Sequence, residues 1–167
     1  MTMTRTWRIT IFKRLFSSSF DTTELCASRL FDNETFYKVF MRDLVHANHS
    51  IYIESPFITT KRMGILLTIL KQTRQRGIQI TVNTRPPCEH DGSYIDQAYK
   101  AMQDMQSIGI TVLYTVKHHR KIAIIDDEIL WEGSLNILSQ SDSCELMRRS
   151  VSTSLVRQMR KHIRYPN

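Results

Sequence analysis

Residues 118–136 read HHRKIAIIDDEILWEGSLN. Two histidines and a lysine open an apolar run, and a Gly-Ser-x-Asn sequence closes it. A strand made only for burial would not need that polar frame. Alternation along an extended chain puts His119, Lys121, Ala123 and Ile125 on one face, so imidazole and ammonium project together. Asp126 has the opposite parity and ends the strand. A hairpin returning EILWEGSLN beside it brings Ser134 and Asn136 toward the same end. An imidazole, an ammonium, a hydroxyl and an amide in one place suit a phosphate. The cation meets its charge, neutral donors meet its oxygens, and a histidine attacks phosphorus or moves protons. Gly133 permits the tight turn or close backbone approach that such a site needs.

The elements that must position these groups follow from periodicity. ETFYKVFMRDLVHA places Phe36, Val39, Phe40 and Leu44 at helical spacing. SIYIESPFIT is a strand stopped by Pro56. KRMGILLTILKQTRQRG is a helix with Gly77 just past its basic last turn. IQITVNT is a strand, RPPCEHDGS a loop, and YIDQAYKAMQDMQSIG a helix ending at Gly109. ITVLYT, HRKIAIID, EILWEGS and CELMRRSVS complete the strands, with a tight Asp-Asp-Glu turn inside the motif, and TSLVRQMRKHIR closes as a helix with a basic face. Strands alternating with helices predict an α/β fold: a mixed, mostly parallel sheet flanked by helices on both faces, ending in an antiparallel hairpin. No internal repeat is visible, and the His-x-Lys pattern occurs once.

The totals fit one domain. The chain has 167 residues, 41% of them hydrophobic, enough for a real core. No apolar run reaches the roughly 18 residues needed to span a bilayer, and TWRITIFKRLF is too broken by charge to be a secretory leader. Cys26, Cys88 and Cys144 are odd in number and far apart, so a disulfide framework is not expected and a cytoplasmic location is. Net charge is +7, and both ends are basic and free of acids. That distribution fits a polyanion, nucleic acid first and an anionic membrane surface second; it equally fits two solvated ends. Residues 1–33 are poorly defined: a short strand, a membrane-surface helix, a disordered arm and a transit peptide all fit their composition.

The spacing H-x-K-x4-D-x6-G-S-x-N over residues 119–136, met by His119, Lys121, Asp126, Gly133, Ser134 and Asn136, resembles the phospholipase D superfamily. IYIESPFIT looks like that family's first core strand, and the resemblance covers residues 34–167 as one phospholipase D-like domain. It implies a phosphodiesterase in which one histidine forms a covalent phosphohistidine and a second protonates the leaving oxygen. No metal or cofactor is implied. Two copies of the motif are needed and this chain has one, so the resemblance implies a homodimer with a shared site. Carried onto this sequence, His119 is nucleophile or acid, Lys121 and Asn136 hold phosphate, Ser134 assists, and Asp126 orients the strand end. Glu145 is the candidate for orienting the histidine, although its distance from Asn136 is short for that role.

Other residues have blander readings. His118 adjoins His119 but misses the x-Lys spacing. Cys88, Glu89, His90 and Asp91 are consecutive, and consecutive residues seldom converge on one metal, so a solvated loop is expected, one that lines the substrate entrance at most. His46 and His49 sit at a helix end as structural groups. Trp131 is a candidate for the dimer interface, with its face left open by the register. The functional expectation is a metal-independent nuclease, with DNA ahead of RNA. The alternatives are a phospholipid hydrolase or transphosphatidylase whose N-terminal arm (Trp7, Ile11, Phe12, Leu15, Phe16) sits on lipid, and a non-catalytic nucleic-acid-binding module.

Overall fold

The structure, a computed structural model, describes residues 27–92, 94–139 and 143–163. The elements in chain order are β1 (Ser28–Asp32), α1 (Phe36–His46), β2 (Ser50–Glu54), α2 (Thr60–Gln75), β3 (Gln79–Thr84), α3 (Tyr94–Ser107), β4 (Thr111–Tyr114), β5 (Ile122–Ile125), β6 (Ile129–Gly133), β7 (Leu146–Val151) and α4 (Thr153–His162). A 3-10 turn at Pro87–Glu89 lies between β3 and α3.

Each helix follows from a local signal. Asp32 Oδ1 accepts the N–H groups of Glu34 and Thr35 and turns the chain into α1. Phe36, Phe40 and Leu44, spaced by four, then form the buried stripe of α1. Met63, Leu66, Leu70 and Thr73 do the same for α2, which ends at Gly77 with φ +86°, a conformation that side chains with a Cβ resist. Ser152 caps α4 by accepting the N–H of Leu155 at 3.1 Å.

Seven strands form one sheet in the order β1-β7-β6-β5-β2-β3-β4. The α/β class, the mixed sheet and the helices on both faces match the sequence reading. The parallel share does not: β2–β3 and β3–β4 pair in parallel, while β1–β7, β7–β6, β6–β5 and β5–β2 are antiparallel. Parallel neighbours need a crossover, and helices supply one only between β2, β3 and β4. From β4 onward, loops and hairpins do the connecting. β1 precedes the domain start predicted at residue 34, and it pairs with β7 through Leu30↔Arg148. The readings made for residues 1–26 lie outside the described residues.

The sheet separates two cores. On one face, α1, α2 and α3 cover Ile51, Ile53, Ile80, Val82, Ala123 and Ile125. On the other, α4 packs Val156 and Ile163 against Tyr52, Ile122, Ile124 and Leu130. β5 is buried on both faces, which explains why IAII is apolar without alternation. Trp131 belongs to the first core, not to an outer surface. It is fully buried, its ring meets Phe31, Phe36 and Phe40, and its Nε1 donates to Asp43 Oδ2 at 3.0 Å.

Candidate active site

β4 ends at Tyr114, and the chain crosses to β5 through residues 115–121 without regular structure. The Lys117 N–H is held by the Glu89 carboxylate, and the His118 N–H donates to Thr115 O. The sequence places His119 and Lys121 inside a strand; the structure starts β5 at Ile122, just after them. Their meeting depends on Lys121 reaching back. Its Nζ lies 2.9 Å from His119 Nδ1 and donates to His119 O at 2.8 Å. Burial pulls the Lys121 ammonium below its usual range and Arg85 adds to that, while Glu145 opposes it.

Ser134 follows β6. Its N–H donates to Leu146 O at 3.0 Å, and its Oγ accepts the Leu146 N–H at 3.1 Å. Gly133 makes this closure possible: a Cβ there would lie 2.1 Å from Leu146 O and 2.9 Å from Met147 Cα. No larger residue fits so close to a neighbouring backbone. His119, Lys121 and Ser134 line one cavity of about 740 Å³. Arg120, Glu132 and Arg148 add polar wall; Leu30, Ile122, Leu146 and Met159 add apolar wall.

The remaining predicted residues are placed differently. Asn136 is not among the residues lining that cavity; its Oδ1 is buried with no hydrogen-bond partner among the described residues. Glu145 is not bonded to His119. Hydrogen bonds from Ser134 and then Ser143 hold its carboxyl below the usual range, with Ser143 Oγ at 2.7 Å from Oε1. Asp126 lies at the far end of β5, so it does not join the cluster. Its Oδ2 accepts from Asn48 N, and its Oδ1 from His49 N and Ser50 N. Burial raises the Asp126 carboxyl, but these three backbone donors outweigh it and leave the pKa lowered. With φ of 56° and 55°, Asp126 and Asp127 are the two central residues of the β5–β6 turn.

His118 is buried outside the cavity, and burial lowers its pKa. Among the described residues, the Cys88–Asp91 loop included, no three His, Cys, Asp or Glu side chains converge as a metal-ligand group. Glu89 is occupied by Lys117, and the His90 ring packs edge-on against Phe57. His46 Nδ1 lies 2.7 Å from Arg42 O, one turn back on α1.

Sequence reasoning missed Glu54 and Arg120. Glu54 is 0% exposed at the end of β2, and Arg120, between His119 and Lys121, grips it through Nε at 2.5 Å and Nη2 at 2.9 Å. An acid inside the apolar run SIYIESP was the available signal.

This polar cluster stands where the parallel strands β2 and β3 end, the usual ligand position of an α/β sheet. A family model described as "Cardiolipin synthase, PLD-like domain" matches residues 40–165. The chain belongs to the phospholipase D superfamily. Solved structures share the fold of this phospholipase D-like chain at low identity. Nuc from Salmonella typhimurium, a phospholipase D family member, superposes with a TM-score of 0.66 at 15% identity, over 81% of this chain and 90% of its own. NucT from Helicobacter pylori gives 0.64 at 18% identity, over 81% and 91%. Phosphatidylserine synthase from Haemophilus influenzae gives 0.56 at 11% identity, over 80% of this chain but 37% of its own. Among curated proteins, none matches the sequence. No described helix is long and apolar enough to cross a membrane.

Proposed function

We propose that this chain is a metal-independent phosphodiesterase that cleaves nucleic acid, DNA ahead of RNA, with its site completed across a homodimer. The carrying observation is the Lys121 ammonium resting on His119 at the wall of the same cavity as Ser134. In this reading an imidazole nitrogen of His119 attacks phosphorus, a P–N bond forms and the P–O bond to the leaving oxygen breaks. His119 of the partner subunit gives that oxygen its proton. Water then attacks phosphorus and passes a proton to the same partner imidazole, the P–N bond breaks, and free His119 returns. Lys121 and the amide N–H groups of Asn136 meet the charge on the non-bridging oxygens. Ser134 supports them, holding Glu145 beside Lys121.

Motif count supports the dimer. The chain spans nearly all of Nuc and NucT, yet little more than a third of the phosphatidylserine synthase. With one motif in this sequence, a second copy is the proposed source of the second histidine. The two basic ends support a nucleic-acid substrate.

Cleavage of single- and double-stranded DNA in excess EDTA, wild type beside His119→Ala, tests the reading. EDTA-resistant cleavage that vanishes in the variant is expected. Sedimentation of the uncut protein should give twice the chain mass.

A second reading is a phospholipid hydrolase or transphosphatidylase. It is favoured by the apolar wall of Leu30, Ile122, Leu146 and Met159 beside the reacting groups. Robust turnover of phospholipid vesicles with DNA untouched would replace the first reading with this one.

A further inference from the structure

Glu54 is a carboxylate with no exposed surface, and burying one is expensive unless donors converge on it. Three residues supply them. Tyr52 Oη donates to Oε1 at 2.6 Å, Asn83 Nδ2 donates to Oε1 at 3.2 Å, and the Arg120 fork spans both oxygens. Burial alone would raise the Glu54 carboxyl, yet Arg120 and Tyr52 bring it below its usual range, so the pair is ionic. Asn83 lies opposite Glu54 in the β2–β3 register, and its Oδ1 accepts from Thr115 Oγ1 at 3.1 Å. Thr115 begins the irregular crossing that carries His118, His119, Arg120 and Lys121.

That crossing lacks the ladder that would otherwise fix it. Side-chain contacts replace it: Asn83 holds Thr115, Glu89 holds the Lys117 N–H, Arg85 Nε donates to His118 O at 2.6 Å, and Arg120 grips Glu54. Stability alone is a weak reason for such a pair, since well-packed apolar residues commonly do as well as a buried ion pair. A bidentate fork adds direction, because both N–H groups must align with one carboxylate plane.

We infer that Glu54, acting through Arg120, is a positioning residue that fixes the placement of His119 and Lys121 in the cavity. This rests on the reading of His119 and Lys121 as the reacting pair. Arg120 lies between them in sequence, so a rotation of its peptide moves both at once.

The test uses the full chain and four variants: Glu54→Gln, Arg120→Met, Arg120→Lys and the Glu54→Gln/Arg120→Met double. Each is measured for thermal unfolding, for kcat and KM on bis(p-nitrophenyl) phosphate, and for the ring signals of His119 by NMR. Arg120→Met leaves a buried charge unpaired and is expected to unfold earliest. The double variant removes both charges, and its unfolding temperature is expected to return toward wild type. Its kcat is expected to stay about 100-fold down, as a displaced reacting group costs, with KM changed less than about threefold and His119 ring signals shifted. Arg120→Lys keeps the charge without the fork, and is expected to fold and to lose about tenfold in kcat. A folded double or Arg120→Lys variant with wild-type kcat and unmoved His119 signals overturns the inference. If wild type cleaves no phosphodiester, the functional reading fails, and the NMR comparison alone decides whether Glu54 positions His119.

Discussion

At one end of β5, Lys121 reaches back onto His119 and both side chains border a cavity. At the other end, Asp126 gives both carboxylate oxygens to the backbone N–H groups of Asn48, His49 and Ser50. Four residues of strand separate these ends, and one sequence motif spans them. The first end keeps charged and neutral donors available to something outside the chain. The second spends its charge entirely on the chain, pinning the β5–β6 turn to the start of β2. A regularly spaced motif therefore mixes residues that line a cavity with residues that hold register, and spacing alone does not sort them.

Substitutions at the two ends should separate along that line. His119→Ala is expected to lower phosphodiester cleavage at least about 10³-fold with little change in unfolding temperature, because in the proposed reaction it removes the attacking atom itself. Lys121→Met should cost about 10²-fold or more in kcat, the usual loss when a donor facing transition-state charge is removed. Burial of the Lys121 stem predicts that this variant stays folded. Asp126→Asn inverts the pattern. Losing a charged acceptor of three N–H groups should cost about 1–3 kcal/mol in denaturant unfolding, with kcat of the folded fraction near wild type. An activity loss at Asp126→Asn larger than at Lys121→Met would break the comparison.

Acid sharpens it further. The folded pKa of Asp126 is lowered relative to the unfolded chain. Its stabilising effect is thus fully present above the unfolded value of about 3.9. It is lost as pH falls through the folded value. Wild-type unfolding free energy should therefore fall more steeply than that of Asp126→Asn in this acidic window, and the two curves should converge. The smallest effect is expected at Glu145→Gln. The residue is bonded to Ser134 and Ser143 rather than to His119, so kcat should change only a few-fold.

Much of this was legible in the sequence, for definable reasons. The helices announce themselves through stripes such as Phe36, Phe40 and Leu44, and through Gly77 past the end of α2. The cluster of His119, Lys121 and Ser134 was legible because turn chemistry at Asp126 and Asp127 fixes how far β6 returns along β5. The direction of strand pairing was not, because short connections after β4 exchange crossovers for hairpins. The β5 start was misplaced by the same logic: alternation treats His119 and Lys121 as strand, whereas side-chain contacts hold them outside it. Trp131 could not be assigned a face until β6 had a register against β7. Glu54 was hidden by its setting, since its partner Arg120 is 66 residues away and only the sheet brings them together.

The pairing of β1 with β7 has a consequence for how the chain is made. Ser28 must meet Ser150, so the first of the described strands to leave the ribosome waits for the last of them. At roughly 5–20 residues per second, that wait is on the order of 6–24 seconds. Until β7 arrives, β1 has no partner edge of its own, while the β2–β3–β4 half can already assemble. The sheet is expected to close from its β4 edge toward β1, and the final seam supplies Leu30, Leu146 and Arg148 to the cavity wall. A complete cavity wall should thus be among the last features a nascent chain acquires.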